Sequence, residues 1–384
     1  MAGRVGLWHG GDRSARSTCL TAGVQQSNGP TIPPATHEPE IVQPVDLCTP
    51  DGARLNPAAR GWSRRPMHRA NLRGRRFRTK KWDYWSVLAG DLVIGLVYAD
   101  VGYLGLASMW WADLSTGRQG GRDLAVPFGG KFQLPAEPGT APLVLDTKHL
   151  RMRLEDLSTS PVGPATRLRV SWDERGAEGE LDVLVALPED HESLSVVIPW
   201  SETTFQFTTK DNARPAAGTL DVGPDHWDIG ADGDAWGVLD VGRGRWPYST
   251  TWNWGAASGH ATTGELIGVQ FGAKWTEGTG FTENALNIGG RLHKIGRELT
   301  WDYDWDAPMR PWRVVDDGVG PDERALDLTL TPRLDKHGRT DAIALRTEVH
   351  QMFGTWTGTV RDEHGKEYRV EGIQGFAEES RNRW

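Results

Sequence analysis

The sequence predicts an all-β fold in which two β-barrel or sandwich halves pack together, with a short helix at the C-terminus. Three observations lead to this prediction. The 384 residues include 47 glycines and 23 prolines, and each glycine inside a helix costs about 1 kcal/mol. Apolar and polar residues alternate with a period of two in many short segments, which is typical of half-buried strands. Long stretches of helical periodicity are almost absent.

The individual strands are predicted from segments that alternate in polarity or form short apolar runs between turns. The clearest are residues 166–172, 181–187, 194–200, 326–331, 355–360 and 367–373. The last two flank a His-Gly pair, which predicts a hairpin turn. Strands that recur about every ten residues and are joined by glycine-containing turns are typical of sandwiches and barrels.

The length of the chain favours two β units, because one closed barrel would not use 384 residues. Residues 1–40 are polar and rich in Gly, Ser, Thr and Pro, and we interpret them as a disordered leader. We place an N-terminal half at residues 41–225 and a C-terminal half at residues 226–384. The break is expected near residues 211–235, where Gly, Pro and Asp cluster. Residues 378–383 are predicted to form the short helix.

Positive charge is concentrated in one segment, although the net charge of the chain is −8. Residues 60–81 contain ten basic residues and no acid. Such a segment is able to bind nucleic acid or anionic lipid. We interpret it as an internal strap that lies across the acidic remainder, with an anionic ligand as the alternative, and we expect no nucleic-acid partner.

The chain carries one segment with the length of a membrane span. Residues 92–111 hold a single charge, Asp100, but three glycines and a turn-like sequence at residues 99–102 predict two buried strands instead. We therefore expect no stable membrane insertion. The N-terminal residues lack the apolar segment of a signal peptide, and Cys19 and Cys48 are too few for a disulfide framework. These features predict a cytoplasmic protein with reduced thiols.

No motif of a known cofactor or metal site occurs in the sequence. A phosphate-binding loop, a dinucleotide fingerprint, a His-Glu-x-x-His motif and a Gly-x-Ser-x-Gly elbow are all missing. Asp302, Asp304 and Asp306 are spaced as in a calcium loop, but Ala307 replaces the required glycine and Arg313 replaces the distal glutamate. The sequence therefore predicts neither a cofactor nor a metal. It does not indicate an oligomeric state.

The 19 tryptophans are the most unusual feature of the composition. Tryptophan buries a large surface and has one N–H that needs a partner, so this number suggests a lined cavity as well as a core. Trp246 and Tyr248 precede Trp252 and Trp254, which would point to the same side of a strand, with Asn253 opposite. We predict an aromatic wall that binds an apolar ligand or stabilises a cation. Plain core packing is the alternative.

Residues 301–306 read Trp-Asp-Tyr-Asp-Trp-Asp, which would place three aromatics on one face and three carboxylates on the other. A carboxyl group that faces a cavity loses water and its pKa rises. Asp304 would then donate a proton to a carbon–carbon double bond, with Tyr303 as its partner. If the acids face water, the segment is an ordinary half-buried strand.

Two further groups of polar residues are candidates for ligand contacts. Glu283 and Asn284 lie beside apolar residues, and they are expected to orient a ligand oxygen, with Glu283 positioning a water molecule. A turn or an inter-strand hydrogen bond is the alternative. Arg245 follows Arg243 by two residues and would hold a carboxylate or phosphate, or it would pair with an acid such as Asp240.

Several segments resemble the bacterial family numbered 2804 among the domains of unknown function. These are LNPAARGWSRRP at residues 55–66, DVGRGRWPY at 240–248 with WNW at 252–254, TENA at 282–285, RPW at 310–312, HQMFG at 350–354 and GFAEE at 375–379. The resemblance runs from about residue 45 to the C-terminus. That family looks distantly similar to the lipocalin-like carotenoid 1,2-hydratases and the Diels–Alder cyclases. The resemblance implies two lipocalin-like halves and an apolar substrate, with no cofactor.

The chain departs from the hydratase pattern of His-x-Trp paired with Tyr-x-Asp. Its nearest counterparts are Thr250-x-Trp252 and Tyr303-x-Trp305, and Asp304 directly follows Tyr303. We predict binding of a hydrophobic small molecule of isoprenoid, polyketide or fatty-acyl type. If the protein is an enzyme, we expect hydratase, isomerase or cyclase chemistry. The alternatives are a non-catalytic lipid carrier and a structural protein with a filled interior.

Overall fold

The computed structural model describes residues 37–129, 132–174, 176–342 and 345–383. In these ranges nearly all regular structure is strand, with three single-turn 3₁₀ helices at Pro57–Ala59, Arg76–Arg78 and Pro321–Glu323. No helix in the described ranges is long and apolar enough to cross a membrane.

The strands are numbered in chain order. The first fifteen are β1 (Val45–Asp46), β2 (Trp62–Ser63), β3 (His68–Arg69), β4 (Thr79–Ala89), β5 (Leu92–Asp100), β6 (Leu104–Asp113), β7 (Gln119–Pro127), β8 (Leu143–Asp146), β9 (Leu150–Leu157), β10 (Ala165–Glu174), β11 (Ala177–Ala186), β12 (Leu194–Ile198), β13 (Phe205–Val222), β14 (Asp225–Ile229) and β15 (Ala235–Arg245). The remaining nine are β16 (Ser249–His260), β17 (Leu266–Ala273), β18 (Asn284–Ile288), β19 (Arg291–Ile295), β20 (Thr300–Asp302), β21 (Trp312–Val315), β22 (Leu326–Ala342), β23 (Leu345–Arg361) and β24 (Glu367–Arg383).

The first sheet has thirteen antiparallel strands. Ten of them follow the order β7-β6-β5-β4-β15-β13-β11-β10-β9-β8, while β12 and β14 pair with β13, and β2 pairs with β12. The long strand β13 pairs with β12 and β15 along its first part and with β11 and β14 along its second part. Its register shifts between Asp211 and Arg214, where Ala213 has a φ of 57°. The bulge bends β13, so that this one strand joins the β15 side of the sheet to the β11 side. The sheet curls around its own apolar core.

The second sheet has nine antiparallel strands in the order β19-β18-β17-β16-β24-β23-β22-β21-β20. It encloses a second core in which Phe271, Trp312 and Trp356 are fully buried. A short parallel pair, β1 with β3, is separate from both sheets. The chain passes from the first sheet to the second between β15 and β16, over residues 246–248.

The outer faces of the two sheets pack against each other. Trp254 of β16 lies 5.4 Å from Tyr84 of β4, and Phe353 of β23 stacks on Trp110 of β6 with ring centres 5.3 Å apart. Because side chains alternate along a strand, each inter-sheet residue is flanked by neighbours that face the core of its own sheet. One face of β16 and β24 therefore points toward the first sheet, and the other face points into the core of the second sheet.

The predicted all-β fold of two curled halves is confirmed, and so is the hairpin at residues 92–111, which forms β5 and β6. The predicted helix at residues 378–383 is wrong. These residues belong to β24, which is paired on both edges, with β16 and with β23. A central strand position with two hydrogen-bonding neighbours outweighs the weak helical preference of a six-residue charged segment.

Other expectations concern the N-terminal part of the chain. Residues 1–36 of the expected leader, and Cys19 with them, lie outside the described residues, whereas Glu38 is buried and forms an ion pair with Lys294 at 2.7 Å. Within the basic segment, Arg64 pairs with Glu40 and Glu192. Residues 211–235, where a domain break was expected, contain most of β13 and all of β14.

Candidate functional site

A cavity of about 220 Å³ lies between the two sheets. Its wall contains the five indoles of Trp82, Trp246, Trp252, Trp254 and Trp275. Aliphatic side chains of β5 and the ring of Tyr84 complete the apolar surface. A water-excluding aromatic lining of this kind is typical of sites for apolar small molecules.

One lysine and three carboxyl side chains line the same cavity, namely Lys210, Asp240, Glu283 and Glu378. Strand register brings the first two together, because Lys210 of β13 is directly opposite Asp240 of β15. In the second sheet, Glu378 of β24 is directly opposite Trp254 of β16. Glu283 immediately precedes β18. The site is therefore built from both sheets, and it forms only where the two sheets pack together.

Three of the five indoles donate hydrogen bonds to the three carboxyl groups of the cavity. Trp82 Nε1 donates to Asp240 Oδ2 at 3.1 Å, and Trp275 Nε1 donates to Glu283 Oε1 at 2.6 Å. Trp252 Nε1 donates to Glu378 Oε1 at 2.8 Å.

The other two indoles, Trp246 and Trp254, donate to the side-chain oxygens of Gln206 and Gln270, at 2.8 and 2.9 Å. All five cavity-lining indole N–H groups are thus satisfied within the protein. The ring of Trp246 packs against those of Trp82, Trp252 and Trp275, with ring centres 5.3 to 5.8 Å apart, so a ligand would contact the parts of the rings that line the cavity.

Lys210 is the central cation of the site. Its Nζ atom lies 3.1 Å from Asp240 Oδ1 and 3.3 Å from Glu283 Oε2, and its side chain is only 7% exposed. The same ammonium lies 4.1 Å from the centre of the Trp254 ring. Burial opposes the charge on Lys210, but the two carboxylates outweigh this effect and its pKa is raised. Lys210 is therefore a fixed positive charge.

Two carboxyl groups in the cavity have pKa values near neutrality. Burial raises the pKa of Glu283 to about 7, against the opposing effect of the Lys210 charge. Burial likewise raises the pKa of Glu378 to about 7, and the hydrogen bond from Trp252 opposes it. Carboxyl groups with such pKa values exchange protons readily at neutral pH, which suits general acid–base chemistry.

The structure brings together four of the residues singled out in the sequence. Trp246, Trp252, Trp254 and Glu283 all line the cavity. Trp252 and Trp254 project to the same side of β16, as alternation predicts, and Asn253 projects to the other. Glu283 contacts Lys210 and the indole N–H of Trp275 directly.

Four other ligand-binding candidates lie away from the cavity. Asn253 donates to the hydroxyl of Tyr303 and to the backbone oxygen of Glu378, on the face of β16 that points into the second sheet's core. Asn284 accepts from the backbone of Gly272 and donates to that of Arg297, which joins neighbouring strands.

Arg245 is fully buried, and it donates to the backbone oxygens of Gly52, Ala53 and Arg73, so it anchors the N-terminal segment. Tyr248 is 45% exposed and accepts a hydrogen bond from Arg383.

The predicted pair of Tyr303 and Asp304 is also separate from the cavity. Strand β20 ends at Asp302, so the alternation of residues 301–306 does not continue as a strand. Asp304 has a 42% exposed side chain and forms an ion pair with Arg310 at 3.0 Å. It therefore lacks the desolvated setting that proton donation to an apolar ligand would need.

Tyr303 lies on the opposite face of β16 from the cavity wall. Its hydroxyl contacts Lys274 Nζ at 2.7 Å and Glu379 Oε2, and its ring stacks on Trp312. Burial raises the pKa of Tyr303.

Sequence reasoning missed Lys210, Asp240 and Glu378. Lys210 and Asp240 belong to strands that are paired in space but separated by thirty residues of sequence. Glu378 was assigned to a helix, in which Glu378 and Glu379 would share the solvent face. A strand reading of residues 376–381 would have separated them, with Phe376 and Glu378 on one face and Ala377 and Glu379 on the other.

A second cavity, of about 230 Å³, has both apolar and charged side chains in its wall and lies within the first sheet's half. Its wall contains His191, which pairs with Asp211 at 2.8 Å, and Arg214, which contacts the same carboxylate at 3.3 Å. Asp211 thus joins His191 and Arg214 inside the protein. This cavity shares no lining residue with the indole-lined one.

Comparisons with known proteins give one family match and several similar structures. The model of the family described as "Domain of unknown function (DUF2804)" matches residues 38–384. The structure of kievitone hydratase from Nectria haematococca is 11% identical, with 79% of this chain and 88% of that chain covered and a TM-score of 0.46. The structure of CghA with Sch210972 is 12% identical, with the same coverage and a TM-score of 0.41. No curated protein sequence matches the chain.

Proposed function

The chain belongs to the DUF2804 family, and we propose that it binds an apolar, largely planar small molecule between its two sheets and carries out cofactor-free acid–base chemistry on it. One observation supports this proposal above the others. Glu283 and Glu378 are buried carboxyl groups with pKa values of about 7, and both belong to the wall of one indole-lined cavity.

The surroundings of the two carboxyl groups suggest different roles. Glu283 forms an ion pair with Lys210, which favours its carboxylate form and the role of base. Glu378 forms no ion pair among the described residues, and its contact in the cavity is the Trp252 indole. We therefore assign the role of acid to Glu378. Pairs of titratable groups in contrasting environments are a common arrangement for acid–base catalysis.

The proposed reaction begins with proton transfer from Glu378 to one carbon of a carbon–carbon double bond. Positive charge then develops on the neighbouring carbon, where the ring face of Trp252 stabilises it, since the ring of Trp254 already holds the Lys210 ammonium. In a hydration, water adds to that carbon and its proton passes to Glu283. In an isomerisation, Glu283 removes a proton from the adjacent carbon and the double bond moves. Either route leaves the atoms and charges balanced.

Binding is tested first, with N-phenyl-1-naphthylamine as a neutral, planar fluorescent probe. We expect saturable binding to the wild-type protein, with energy transfer from tryptophan. Ala99 of β5 lines the cavity beside Trp82, its cross-strand neighbour on β4. The larger side chain of Ala99→Phe should therefore fill the cavity and weaken binding at least tenfold. Trp227→Phe, which alters a tryptophan outside the cavity, should leave the affinity unchanged. Equal affinity of Ala99→Phe and wild type would contradict the proposed binding site.

Catalysis is tested by incubating an apolar extract of the native host with protein in D₂O and following deuterium incorporation by mass spectrometry. The wild type should place deuterium at carbon in at least one compound, and Glu378→Gln should not. Glu378→Gln should still bind the naphthylamine probe, because glutamine keeps an oxygen for the Trp252 N–H. If the wild type binds the probe and incorporates no deuterium, the protein is a carrier and the catalytic part of the proposal is wrong.

A further inference from the structure

From the geometry of β22 and β23 we infer a binding site for a divalent transition metal of the zinc type, formed by His337, Glu348 and His350. The site lies on the face of the second sheet that points away from the indole-lined cavity, and the inference is independent of the proposed function. Each of the three side chains offers one ligand atom, and these atoms lie within 4.8 Å of one another.

Strand pairing assembles the site. His337 is directly opposite His350 in the antiparallel register, and Glu348 is two residues before His350, so it shares the same face. The two imidazole rings are parallel to within 3°, with their centres 4.2 Å apart. The lone pairs of parallel rings do not converge on one ion, so a bound metal requires the half-exposed His337 ring to turn toward Glu348.

One of the three distances between ligand atoms is close to that of a metal site. Nε2 of His337 lies 3.3 Å from Oε1 of Glu348. This is longer than a charge-assisted hydrogen bond of about 2.8 Å. It is close to the separation of roughly 3.4 Å that two ligands adopt on one tetrahedral zinc ion with bonds of about 2.1 Å. His337 is 44% exposed, so its ring has room to adjust.

Asp335 orients His350 for this role. Its Oδ2 atom accepts a hydrogen bond from Nδ1 of His350 at 2.7 Å. With the proton on Nδ1, the lone pair of Nε2 is available to a metal, as in the carboxylate–histidine arrangement of many zinc sites. The ring is held further by Trp305, which meets it edge-on at 4.5 Å. Asp335 is therefore a positioning residue.

One cation competes for the site. Arg339 Nη1 lies 3.7 Å from Oε1 of Glu348, but its side chain is 51% exposed. An ion pair at this distance and exposure contributes little and is displaced at low cost. Two histidines and one carboxylate leave a fourth position for water, which is the ligand set of an open zinc site.

The test uses the full chain, stripped with a chelator and dialysed, and then titrated with Zn²⁺ in competition with a chromophoric chelator. We expect one equivalent of zinc to bind, and Co²⁺ to give the visible absorption of a tetrahedral complex. His337→Ala and His350→Ala should each weaken zinc binding by at least tenfold. His364→Ala, which removes an exposed histidine from the β23–β24 turn, is the matched control and should bind as the wild type does.

Asp335→Asn should weaken zinc binding by about 10- to 100-fold and shift the Co²⁺ spectrum. The unfolding midpoints of the metal-free variants should match that of the wild type, which separates loss of a ligand from loss of the fold. The inference is overturned if the wild type shows no saturable binding at one equivalent. It is equally overturned if a His337→Ala, His350→Ala double variant that is folded retains wild-type affinity.

Discussion

The indole N–H of Trp252 donates to Oε1 of Glu378 over 2.8 Å, at the wall of a cavity that is otherwise mostly apolar. This hydrogen bond favours the ionised form of the carboxyl group, yet burial outweighs it and the pKa of Glu378 stays near 7. One residue further along β24, Glu379 projects to the opposite face. There the hydrogen bonds from Lys274, Tyr303 and Arg381 outweigh burial and lower its pKa.

Replacing Glu378 with glutamine should make stability less sensitive to pH. The ordinary pKa of this carboxyl is 4.5 and its folded value is about 7. Between these values the folded state holds more protons than the unfolded state, so the free energy of unfolding falls as pH rises. From pH 5 to pH 8 we expect Glu378→Gln to gain about 2 kcal/mol relative to wild type. Urea unfolding at the two pH values measures this difference.

Glu379→Gln is the matched control for that experiment. The lowered pKa of Glu379 means that its stabilising effect is lost only as pH falls below its ordinary value of 4.5. We therefore expect Glu379→Gln to destabilise the protein by similar amounts at pH 5 and pH 8. A gain for Glu379→Gln equal to that of Glu378→Gln would show that the two faces of β24 are not electrostatically distinct.

Trp252→Phe should raise the pKa of Glu378 further. The substitution removes the N–H that favours the carboxylate, while phenylalanine keeps an aromatic wall. The carbonyl stretch of the protonated carboxyl group, followed by infrared difference spectroscopy against pH, should titrate at higher pH than in the wild type. Glu378→Gln removes this band and identifies it. An unchanged midpoint would mean that the indole does not act on the carboxyl.

Lys210→Met should destabilise the protein by about 3–5 kcal/mol, because it leaves Asp240 and Glu283 as buried carboxylates without their cation. Adding Glu283→Gln should recover part of the loss, since one of the two charges is then gone. Urea unfolding of the wild type, both single variants and the double variant gives the coupling energy, for which we expect about 1–3 kcal/mol. Simple additivity would contradict a direct interaction between Lys210 and Glu283.

Tyr303→Phe and Asp304→Asn should leave the indole-lined cavity unaffected. Tyr303 is on the opposite face of β16, and Asp304 is paired with Arg310 in a partly exposed turn. Both variants should bind N-phenyl-1-naphthylamine as the wild type does and should retain deuterium incorporation. Tyr303→Phe should also lose about 1 kcal/mol of stability, because the hydroxyl of Tyr303 contacts the Lys274 amine and the Glu379 carboxylate.

Much of the fold was accessible from local patterns. The alternation at residues 166–172 corresponds to β10, and the His-Gly pair near residue 364 marks the turn between β23 and β24. These patterns predict strands correctly because each strand buries one face. Its own residues therefore alternate between apolar and polar with a period of two. The prediction of a helix at residues 378–383 was wrong because these residues form a strand between two partners, β16 and β23. Local patterns do not reveal such partner strands.

The candidate site was only partly accessible from the sequence. Trp252 and Trp254 are two residues apart on one strand, so their common direction follows from alternation alone. Lys210 and Asp240 meet because β13 pairs with β15, and His337 meets His350 because β22 pairs with β23. Such contacts depend on register, which a single sequence does not specify. The same reasoning explains why no metal site was predicted.

The most direct test of the central claim is a crystal structure of the protein with N-phenyl-1-naphthylamine. We expect the probe between the two sheets, with its rings in van der Waals contact with Trp82, Trp246 and Trp252 and with an edge facing Glu378. A structure in which the five indoles close on one another and exclude the probe would contradict the claim. So would a probe that occupies only the second cavity, beside His191.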